Sequence, residues 1–531
     1  MRPRDAKSDN EVRHFRFSCP PRPRGDIFAN SAYSKEKMRS KFTLVVALCA
    51  NLVQNVALVM AQAVTPLPAA TLPATTPTTT ASSPAGDYLG KLQVGAFTLR
   101  LGLKLEKGDT GWKGTLDSID QQSVMPIDTV ELKDDALTFA IKVIGGSFAG
   151  TVAADFASID GKWTQNGQAL PLKFERVAEA FKLNRPQEPK PPYPYVEEKV
   201  TFENPKGKVR LAGTLTKPKS AGPFPAVILI TGSGPQDRDE ALLGHRPFFV
   251  LADHLTRAGI AVLRYDDRGV GESTGEFAKA VIDDFVTDAE AALAFVRARP
   301  DIDTKHLGLI GHSEGGVVAP LVASKDPNVG FIVLIASPGL PLDELMARQW
   351  LDIARVSGAD DAKLKTLDAR HQKVLRVVKT VEDKAEAEKQ LRALIDEAVA
   401  AMNEAEKKAA TPAVLNGQVE MLLSPWFRAL VKYEPAPVLA KVKCPVLAIN
   451  GSKDLQVAAK ENLAGIKVGV LAGGNKSVEI VEYPGLNHLF QHSETGSIDE
   501  YATIEETMSP EVMEKIATWI AARGQEKSAA R

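Results

Sequence analysis

The chain has 531 residues and an almost balanced charge, with 65 Lys and Arg against 66 Asp and Glu. This balance argues against a nucleic-acid-binding protein, which would carry a clustered excess of basic residues. The length predicts roughly three structural units, and a hydrophobic content of 44% is typical of a globular protein.

The first 63 residues have the pattern of an export signal preceded by additional sequence. An apolar run at 42–60 follows Arg39 and Lys41 and precedes a small-residue motif that ends at Ala63, which are the three parts of a secretory signal. We expect cleavage after Ala63 and a true start at Met38, so that residues 1–37 are an over-extended gene start.

The apolar run is a poor membrane anchor because it contains Asn51, Gln54 and Asn55. We therefore predict no stable membrane anchor and an exported protein, either periplasmic or secreted. Cleavage would leave Cys444 as the one cysteine of three, and the protein would tolerate an oxidising compartment without an intramolecular disulfide. Residues 64–86 are rich in Pro, Thr and Ala and are predicted to be a tether.

Residues 87–177 consist of short runs in which apolar and polar residues alternate, for example at 136–141 and 170–174. This period of two, with Gly, Asp and Asn between the runs, predicts a small antiparallel β-rich module. The module contains no catalytic motif. The proline-rich segment 184–195 follows it and predicts a stiff linker to the next domain.

Beyond the linker, unbroken apolar runs alternate with helical patterns. The runs lie at 226–230, 260–263, 307–310, 331–335 and 446–449. Such runs predict a parallel sheet that is covered on both faces, which makes this an α/β domain. About 110 residues separate the last two runs, far more than one crossover helix requires. Their helical patterns predict a lid at 340–440 over the carboxyl edge of the sheet.

The pattern G-x-S-x-G occurs twice, with Ser273 and Ser313 at its centres. A nucleophile in this pattern needs a strand that ends at the first glycine and a helix that begins just after the serine. Ser313 follows the apolar run 307–310 and precedes a helical pattern, whereas Ser273 lies in a predicted loop. Ser313 is therefore the predicted nucleophile.

A serine nucleophile needs a histidine as general base. In chains with such a strand-turn-helix nucleophile, an acid and then the histidine follow the serine. Of the histidines after Ser313, His371 lies in a charged helical segment and is expected to be solvated. His488 follows the strand pattern 478–483 directly, and His492 lies farther along the same loop. We predict His488 as the base.

The predicted acid is Asp454, which follows the run 446–449 through a short turn and should lie at the carboxyl edge of the sheet. The alternative is that Asp454 merely caps the next helix. The tetrahedral oxyanion needs two N–H donors, one of them from the residue after the nucleophile, Glu314. The second is predicted to be Ser233 in a Gly-rich loop, with Gly234 as the alternative.

Five sequence blocks carry a resemblance to a known family. They are TGSGPQDRDE from Thr231, RYDDRGVGES from Arg264, GLIGHSEGG from Gly308, INGSKD from Ile449 and YPGLNHLFQ from Tyr483. Over residues 197–524 they resemble the α/β-hydrolase superfamily and, more narrowly, bacterial carboxylesterases related to serine aminopeptidase-like hydrolases. Many relatives carry a histidine at the position of Thr231.

The resemblance implies an α/β-hydrolase catalytic domain at 197–524 with a triad of Ser313, Asp454 and His488. It also implies Ser233 and Glu314 as the oxyanion donors. No function is carried over to the β-rich module.

Together these predictions describe an exported serine hydrolase that cleaves small-molecule carboxylic esters through an acyl-enzyme. No cofactor and no metal site are expected, because the sequence contains no H-E-x-x-H motif and no paired His/Cys spacing. A peptidase or amidase with the same triad is the alternative, since acyl transfer places the same demands on the site. A non-catalytic exported binding protein is the alternative from another class.

Overall fold

The computed structural model describes residues 83–525, with gaps at 95–96, 110, 122, 166–167, 182, 405–406 and 408–409. The predicted start site and signal and nearly all of the predicted tether lie outside the described residues. Two sheets organise the described chain, one with nine strands and one with eight. In this part of the chain, no helix combines the length and apolar character that crossing a membrane requires.

The nine-stranded sheet is antiparallel, with strand order β4-β3-β2-β1-β9-β8-β7-β6-β5. Side chains alternate between its two faces, and one face forms a core of its own that includes Phe148, Trp163 and Phe174. An antiparallel β-rich module was predicted here. Its strands are β1 (Gly86–Val94), β2 (Phe97–Gly108), β3 (Gly111–Ser118), β4 (Ser123–Pro126), β5 (Thr129–Lys133), β6 (Ala136–Ile141), β7 (Gly146–Val152), β8 (Ser158–Gln165) and β9 (Gln168–Val177).

The eight-stranded sheet has the order β10-β11-β13-β12-β14-β15-β16-β17. Its strands are β10 (Tyr195–Asn204), β11 (Val209–Pro218), β12 (Phe224–Ile230), β13 (Ala261–Tyr265), β14 (Ile302–His312), β15 (Ile332–Ile335), β16 (Val446–Gly451) and β17 (Val478–Tyr483). The six strands from β12 onward are parallel, as predicted. Strands β10 and β11 were not among the predicted strands, and they form an antiparallel hairpin at one edge.

Both faces of this sheet are buried, which explains its unbroken apolar runs. On β12, Ala226, Ile228 and Ile230 belong to one core, and Val227 and Leu229 belong to the core on the opposite face. Helices α1 (Pro247–Arg257) and α12 (Pro510–Gln525) pack on the face that carries Val227 and Leu229. Helices α2 (Ile282–Arg297) and α3 (Gly315–Ala323) pack on the face that carries Ala226, Ile228 and Ile230.

Between β15 and β16, in the region predicted as a lid, six helices have their full length within the described residues. They are α4 (Leu342–Val356), α5 (Asp361–Thr380), α6 (Lys384–Ala400), α7 (Pro412–Leu422), α8 (Pro425–Val431) and α9 (Pro435–Leu439). Four of them begin after a side chain that accepts a backbone N–H of the first turn, the usual N-cap arrangement. These caps are Asp360, Asp383, Thr411 and Ser424. We call this segment the helical insertion; its role as a lid stays a prediction. After β16 follow α10 (Ala459–Ala472) and α11 (Ile498–Tyr501).

The expectation that His371 is solvated was wrong. His371 lies on α5 with 1% of its surface exposed, and its ring packs edge-on against Trp350 at 4.6 Å between ring centroids. The charged residues that suggested a solvated segment occupy the other sides of an amphipathic helix whose buried face includes His371.

Candidate active site

Ser313 occupies a tight turn between β14 and α3. Its φ of +52° lies in the left-handed region that is rare for residues other than glycine, and its N–H donates to the Ile335 carbonyl at 3.0 Å. A Cβ on Gly311 would lie 2.1 Å from the Gly315 oxygen, and one on Gly315 would lie 2.2 Å from the Ile230 oxygen. The two glycines are therefore required for a turn that projects Ser313 from the end of the strand.

Ser273, at the centre of the second G-x-S-x-G pattern, has a different environment. Its hydroxyl donates to the Asp266 carbonyl at 2.8 Å and accepts the N–H of Ala212 at 2.9 Å. Both hydrogen bonds connect backbone segments near β11 and β13. Ser273 therefore holds a loop in place.

Asp454 faces His488 and does not cap the next helix, because α10 begins after Ala458 and no side chain caps it. One carboxylate oxygen, Oδ2, lies 2.7 Å from Nδ1 of His488. The other, Oδ1, accepts the N–H groups of Gln456 and Val457, both at 2.8 Å. The Asp454 side chain is fully buried and that of His488 nearly so. The turn after β16 thus fixes the carboxylate, and the carboxylate orients the imidazole.

His492 does not approach this pair. Its side chain is 65% exposed and its Nδ1 lies 2.8 Å from the Glu506 carboxylate. The buried loop that follows β17 is bent by Asn487, whose Oδ1 accepts the N–H groups of Leu489 and Gln491. This bend turns His488 toward Asp454 and leaves His492 at the surface.

A cavity of about 90 Å³ lies beside Ser313. Ser233 and Glu314, the predicted oxyanion donors, line it together with Ser313. The opposite wall is mostly apolar and comes from α4, α7 and α8 of the helical insertion. Its side chains are Leu342, Leu345, Met346, Gln349, Trp350, Met421, Trp426, Phe427 and Leu430.

The side chain of Glu314 is buried at the junction between the turn and the helical insertion. Its Oε1 accepts the indole N–H of Trp426 at 2.9 Å, and its Oε2 has no hydrogen-bond partner among the described residues. Burial raises the pKa of Glu314 to about 7, although the hydrogen bond from Trp426 opposes the shift. This carboxyl group therefore changes its charge near neutral pH.

Asp267 is a second buried acid near Glu314, and both line a smaller neighbouring cavity. It accepts the Thr231 hydroxyl at 2.9 Å and the Gln236 N–H at 3.0 Å. Burial raises the pKa of Asp267 well above its usual range, and the nearby Glu314 adds to the shift. Thr231 thus helps to tie the start of the Gly-rich loop to Asp267.

Sequence reasoning missed three residues of this site: Glu240, His312 and Trp426. His312 lies inside the nucleophile motif, so its position was a usable signal. Glu240 and Trp426 carry no local signal, because each contacts a residue from a distant part of the chain. Glu240 contacts His312, 72 residues away, and Trp426 contacts Glu314, 112 residues away. Within the described ranges, no group of three or more His, Cys, Asp or Glu side chains is arranged to hold a metal ion.

A model of the family described as serine aminopeptidase, S33, matches residues 246–494. The matched range contains Ser313, Asp454 and His488 and begins after Ser233 and Glu240.

Individual proteins are also similar to this chain. The esterase EstD of Thermotoga maritima is 28% identical over 312 residues, which are 58% of this chain and 65% of that protein. The thiohydrolase apmlB of Arthrinium phaeospermum is 30% identical over 164 residues, which are 30% of this chain and 50% of that protein. The solved esterase Pf2001 of Pyrococcus furiosus aligns over 62% of this chain and 93% of that chain, with 16% identity and a TM-score of 0.36. The chain thus spans between half and two thirds of the length of these two curated relatives.

Proposed function

We propose that this chain, an α/β hydrolase related to the serine aminopeptidases of family S33 through residues 246–494, is a serine hydrolase of carboxylic esters. In this proposal Ser313 attacks the ester carbonyl, His488 takes its proton and Asp454 orients the imidazole. The backbone N–H groups of Ser233 and Glu314 stabilise the oxyanion. The resulting acyl-enzyme is then hydrolysed by water.

The observation that carries the proposal is the presence in one domain of a buried Asp454–His488 couple, with 2.7 Å between Oδ2 and Nδ1, and a serine held at φ +52° on a strand-to-helix turn. A strained turn of this kind persists only where the surrounding structure holds it, and such strain clusters at functional sites. A carboxylate that faces Nδ1 leaves Nε2 as the nitrogen available to a nucleophile. The similarity to an esterase over 312 residues also supports an ester substrate.

The cavity supports a substrate that presents an apolar group. The side chains from α4, α7 and α8 are mostly apolar, whereas the polar groups collect at the carboxyl edge of the sheet. This arrangement favours an apolar acyl or alcohol group under the helical insertion, with the ester carbonyl beside Ser313. The helical insertion would then act as a lid over the bound substrate.

Replacing Ser313 tests the proposal. Ser313→Ala should reduce turnover of p-nitrophenyl butyrate by about a million-fold, because the members of a triad act as a unit, and should abolish labelling by a fluorophosphonate probe. Ser273→Ala is the matched control from the second G-x-S-x-G pattern and should keep both properties. Full activity in Ser313→Ala would refute the assignment.

Amide hydrolysis is the second candidate, and the family model favours it because its description is that of an aminopeptidase. Comparing kcat/KM for aminoacyl p-nitroanilides with that for p-nitrophenyl esters separates the two. A higher value for the anilides would make the protein a peptidase or amidase with the same nucleophile.

We also propose that the protein is exported. The support is the basic, apolar and small-residue pattern that ends at Ala63. Sequencing the amino terminus of the protein from the periplasm and the culture medium tests this proposal, with a chain beginning at Val64 as the expected result. A chain recovered from the cytoplasm with residues 38–63 intact would contradict it.

A further inference from the structure

Glu240 and His312 form a second buried acid–histidine pair beside the proposed nucleophile. The Glu240 carboxylate oxygen Oε1 lies 2.9 Å from Nδ1 of His312, and the two residues are 4% and 7% exposed. His312 is the last residue of β14 and immediately precedes Ser313, whereas Glu240 lies in the loop after β12. The catalytic roles proposed above use neither side chain.

The pair connects the two sides of the site. His312 Nε2 lies 3.1 Å from the backbone carbonyl oxygen of His488. On the other side, the same Glu240 oxygen accepts the N–H of Gly232 at 2.7 Å, and Gly232 immediately precedes Ser233. A continuous chain of hydrogen bonds therefore runs from the proposed oxyanion loop to the proposed base.

The partners of His312 determine its protonation. A carboxylate oxygen and a carbonyl oxygen are both acceptors, so both ring nitrogens have to donate and the ring is an imidazolium. Burial alone would lower the pKa of His312, but the Glu240 carboxylate, the His488 carbonyl and the charge of Asp454 outweigh it, and the net shift is upward.

The backbone at Glu240 is itself held in an unusual conformation. Its φ is +53°, in the left-handed region that is strained for a residue other than glycine. The loop is fixed by the Glu240 N–H, which donates to the Asp237 carbonyl at 2.9 Å. Packing around the carboxylate is close, since a Cβ on Gly232 would lie 3.3 Å from both the Glu240 oxygen and the Ser313 Cβ. A small displacement of Glu240 would therefore move the oxyanion loop relative to the nucleophile.

We infer that Glu240 and His312 are a charged positioning pair that fixes the Ser233 loop and the His488 backbone on opposite sides of Ser313. The inference rests on the proposed function, because it assigns the pair a purpose only if Ser233 and His488 act on an ester. Both residues act through other groups, namely the Gly232 N–H and the His488 carbonyl. Misplacing catalytic groups by about 1 Å can cost a hundredfold in rate.

Steady-state kinetics with p-nitrophenyl butyrate test the pair in three variants: Glu240→Gln, His312→Asn and the double variant. We expect kcat to fall by about 10- to 100-fold in each single variant, with KM changed by less than about twofold. The double variant should lose about as much as either single variant, because two residues that act as a unit are not additive. The matched control is His306→Asn, which breaks the His306–Asp303 pair on β14 away from the cavity and should leave kcat unchanged.

A measurement that needs no activity tests the charge. In protein labelled with ¹⁵N-histidine at pH 8, the His312 resonances, assigned through their contacts with the His488 ring 4.8 Å away, should show both ring nitrogens protonated. In folded Glu240→Gln protein one of these protons should be lost. If the single variants fail to fold, the wild-type spectrum alone decides the question.

Two results would overturn the inference: an unprotonated His312 nitrogen in the wild type, or folded single variants whose kcat is unchanged or whose losses multiply in the double variant. A wild-type protein that hydrolyses no ester while His312 is doubly protonated would instead count against the proposed function.

Discussion

At the scale of single residues, three histidines of this chain differ because their partners differ. His488 faces one carboxylate, His312 faces a carboxylate and a carbonyl, and His371 packs against Trp350 without a hydrogen-bond partner for either nitrogen in the described part of the chain. The same side chain is accordingly suited to be a base, a fixed cation or an apolar core residue. The partner decides which of these three roles a histidine takes, because desolvation penalises the charged form of the ring and a nearby carboxylate favours it.

Glu314 gives a pH prediction at this scale. Its pKa is raised to about 7 by burial, so above that pH it places a negative charge next to Ser313, where the proposed attack develops a second negative charge. We expect kcat for p-nitrophenyl butyrate to fall about 3- to 10-fold between pH 6.5 and 8.5, which corresponds to a repulsion of about 0.7–1.4 kcal/mol between the two charges. Glu314→Gln, which stays neutral, should lack this decline.

The control for this titration is Glu506→Gln, which removes a carboxylate paired with the exposed His492 and should keep the wild-type profile. The measurement is the profile of kcat against pH for the wild type, Glu314→Gln and Glu506→Gln. A decline of equal size in Glu314→Gln would assign it to another group.

At the scale of elements, the helical insertion contacts the sheet domain beside the proposed nucleophile, Ser313. Trp426 on α8 donates to Glu314 at 2.9 Å, and Trp350 on α4 lines the same cavity. Behind this wall, α5 packs His371 against Trp350. The buried side chains of the insertion, Trp350 among them, continue the core on one face of the eight-stranded sheet. The stability of this core therefore bears on the shape of the site.

His371 should make this core sensitive to acid. Burial, assisted by the charge of Arg370, lowers the pKa of His371 to about 3, whereas the unfolded chain takes up the proton near pH 6.5. Between these values the unfolded state binds more protons than the folded state, so stability falls as the pH falls below about 6.5, by at most about 1.4 kcal/mol per pH unit. His371→Leu should therefore raise Tm more at pH 5 than at pH 7.5.

Thermal unfolding of wild type, His371→Leu and the surface control His492→Leu at both pH values provides the measurement. The control should show no gain that grows at low pH, because His492 is largely exposed. A gain for His371→Leu that is the same at pH 5 and pH 7.5 would mean that packing, and not proton uptake, is responsible.

At the scale of the whole molecule, the β-rich module and the predicted linker both contact the loop after α11. Arg100 on β2 donates to the Ala502 carbonyl at 2.8 Å. From the linker, Arg185 donates to the carbonyls of Ala502 and Ile504 at 3.1 and 2.9 Å, and Gln187 donates to the Met508 carbonyl at 2.6 Å. The prolines of the linker predicted a spacer, but its polar side chains hold it against the α/β domain.

These contacts predict where the chain can be shortened. A protein that begins at Leu183 keeps Arg185 and Gln187 and should turn over p-nitrophenyl butyrate within about threefold of the full chain, since the proposed catalytic groups all follow the linker. A protein that begins at Tyr195 lacks both residues, and its Tm should be about 5–10 °C lower, because hydrogen bonds from charged or buried groups are worth about 1–3 kcal/mol each.

Purifying both shortened proteins and measuring their Tm and turnover tests this prediction. Equal Tm values would show that the linker contributes nothing to the α/β domain. An insoluble protein from Leu183 onward would show that the module covers a surface that the α/β domain needs buried.

The sequence by itself predicted the features that depend on neighbouring residues. The run 307–310 followed by Gly-x-Ser-x-Gly indicated a strand and a sharp turn at Ser313, because only small residues fit such a turn, and the structure has that turn at φ +52°. The alternation of apolar residues distinguished an antiparallel sheet from a parallel one, since a strand buried on one face and a strand buried on both differ in period.

Only the tertiary structure decided the features that depend on partners far apart in the chain. The pairing of Glu240 with His312 and that of Trp426 with Glu314 have no signature in the sequence nearby. The structure also shows that one oxygen of Asp454 faces His488 and that the other accepts the N–H groups of Gln456 and Val457 in the turn, without capping α10. Local patterns record which face of an element is apolar, whereas the partner of a buried polar group is set by how distant elements pack.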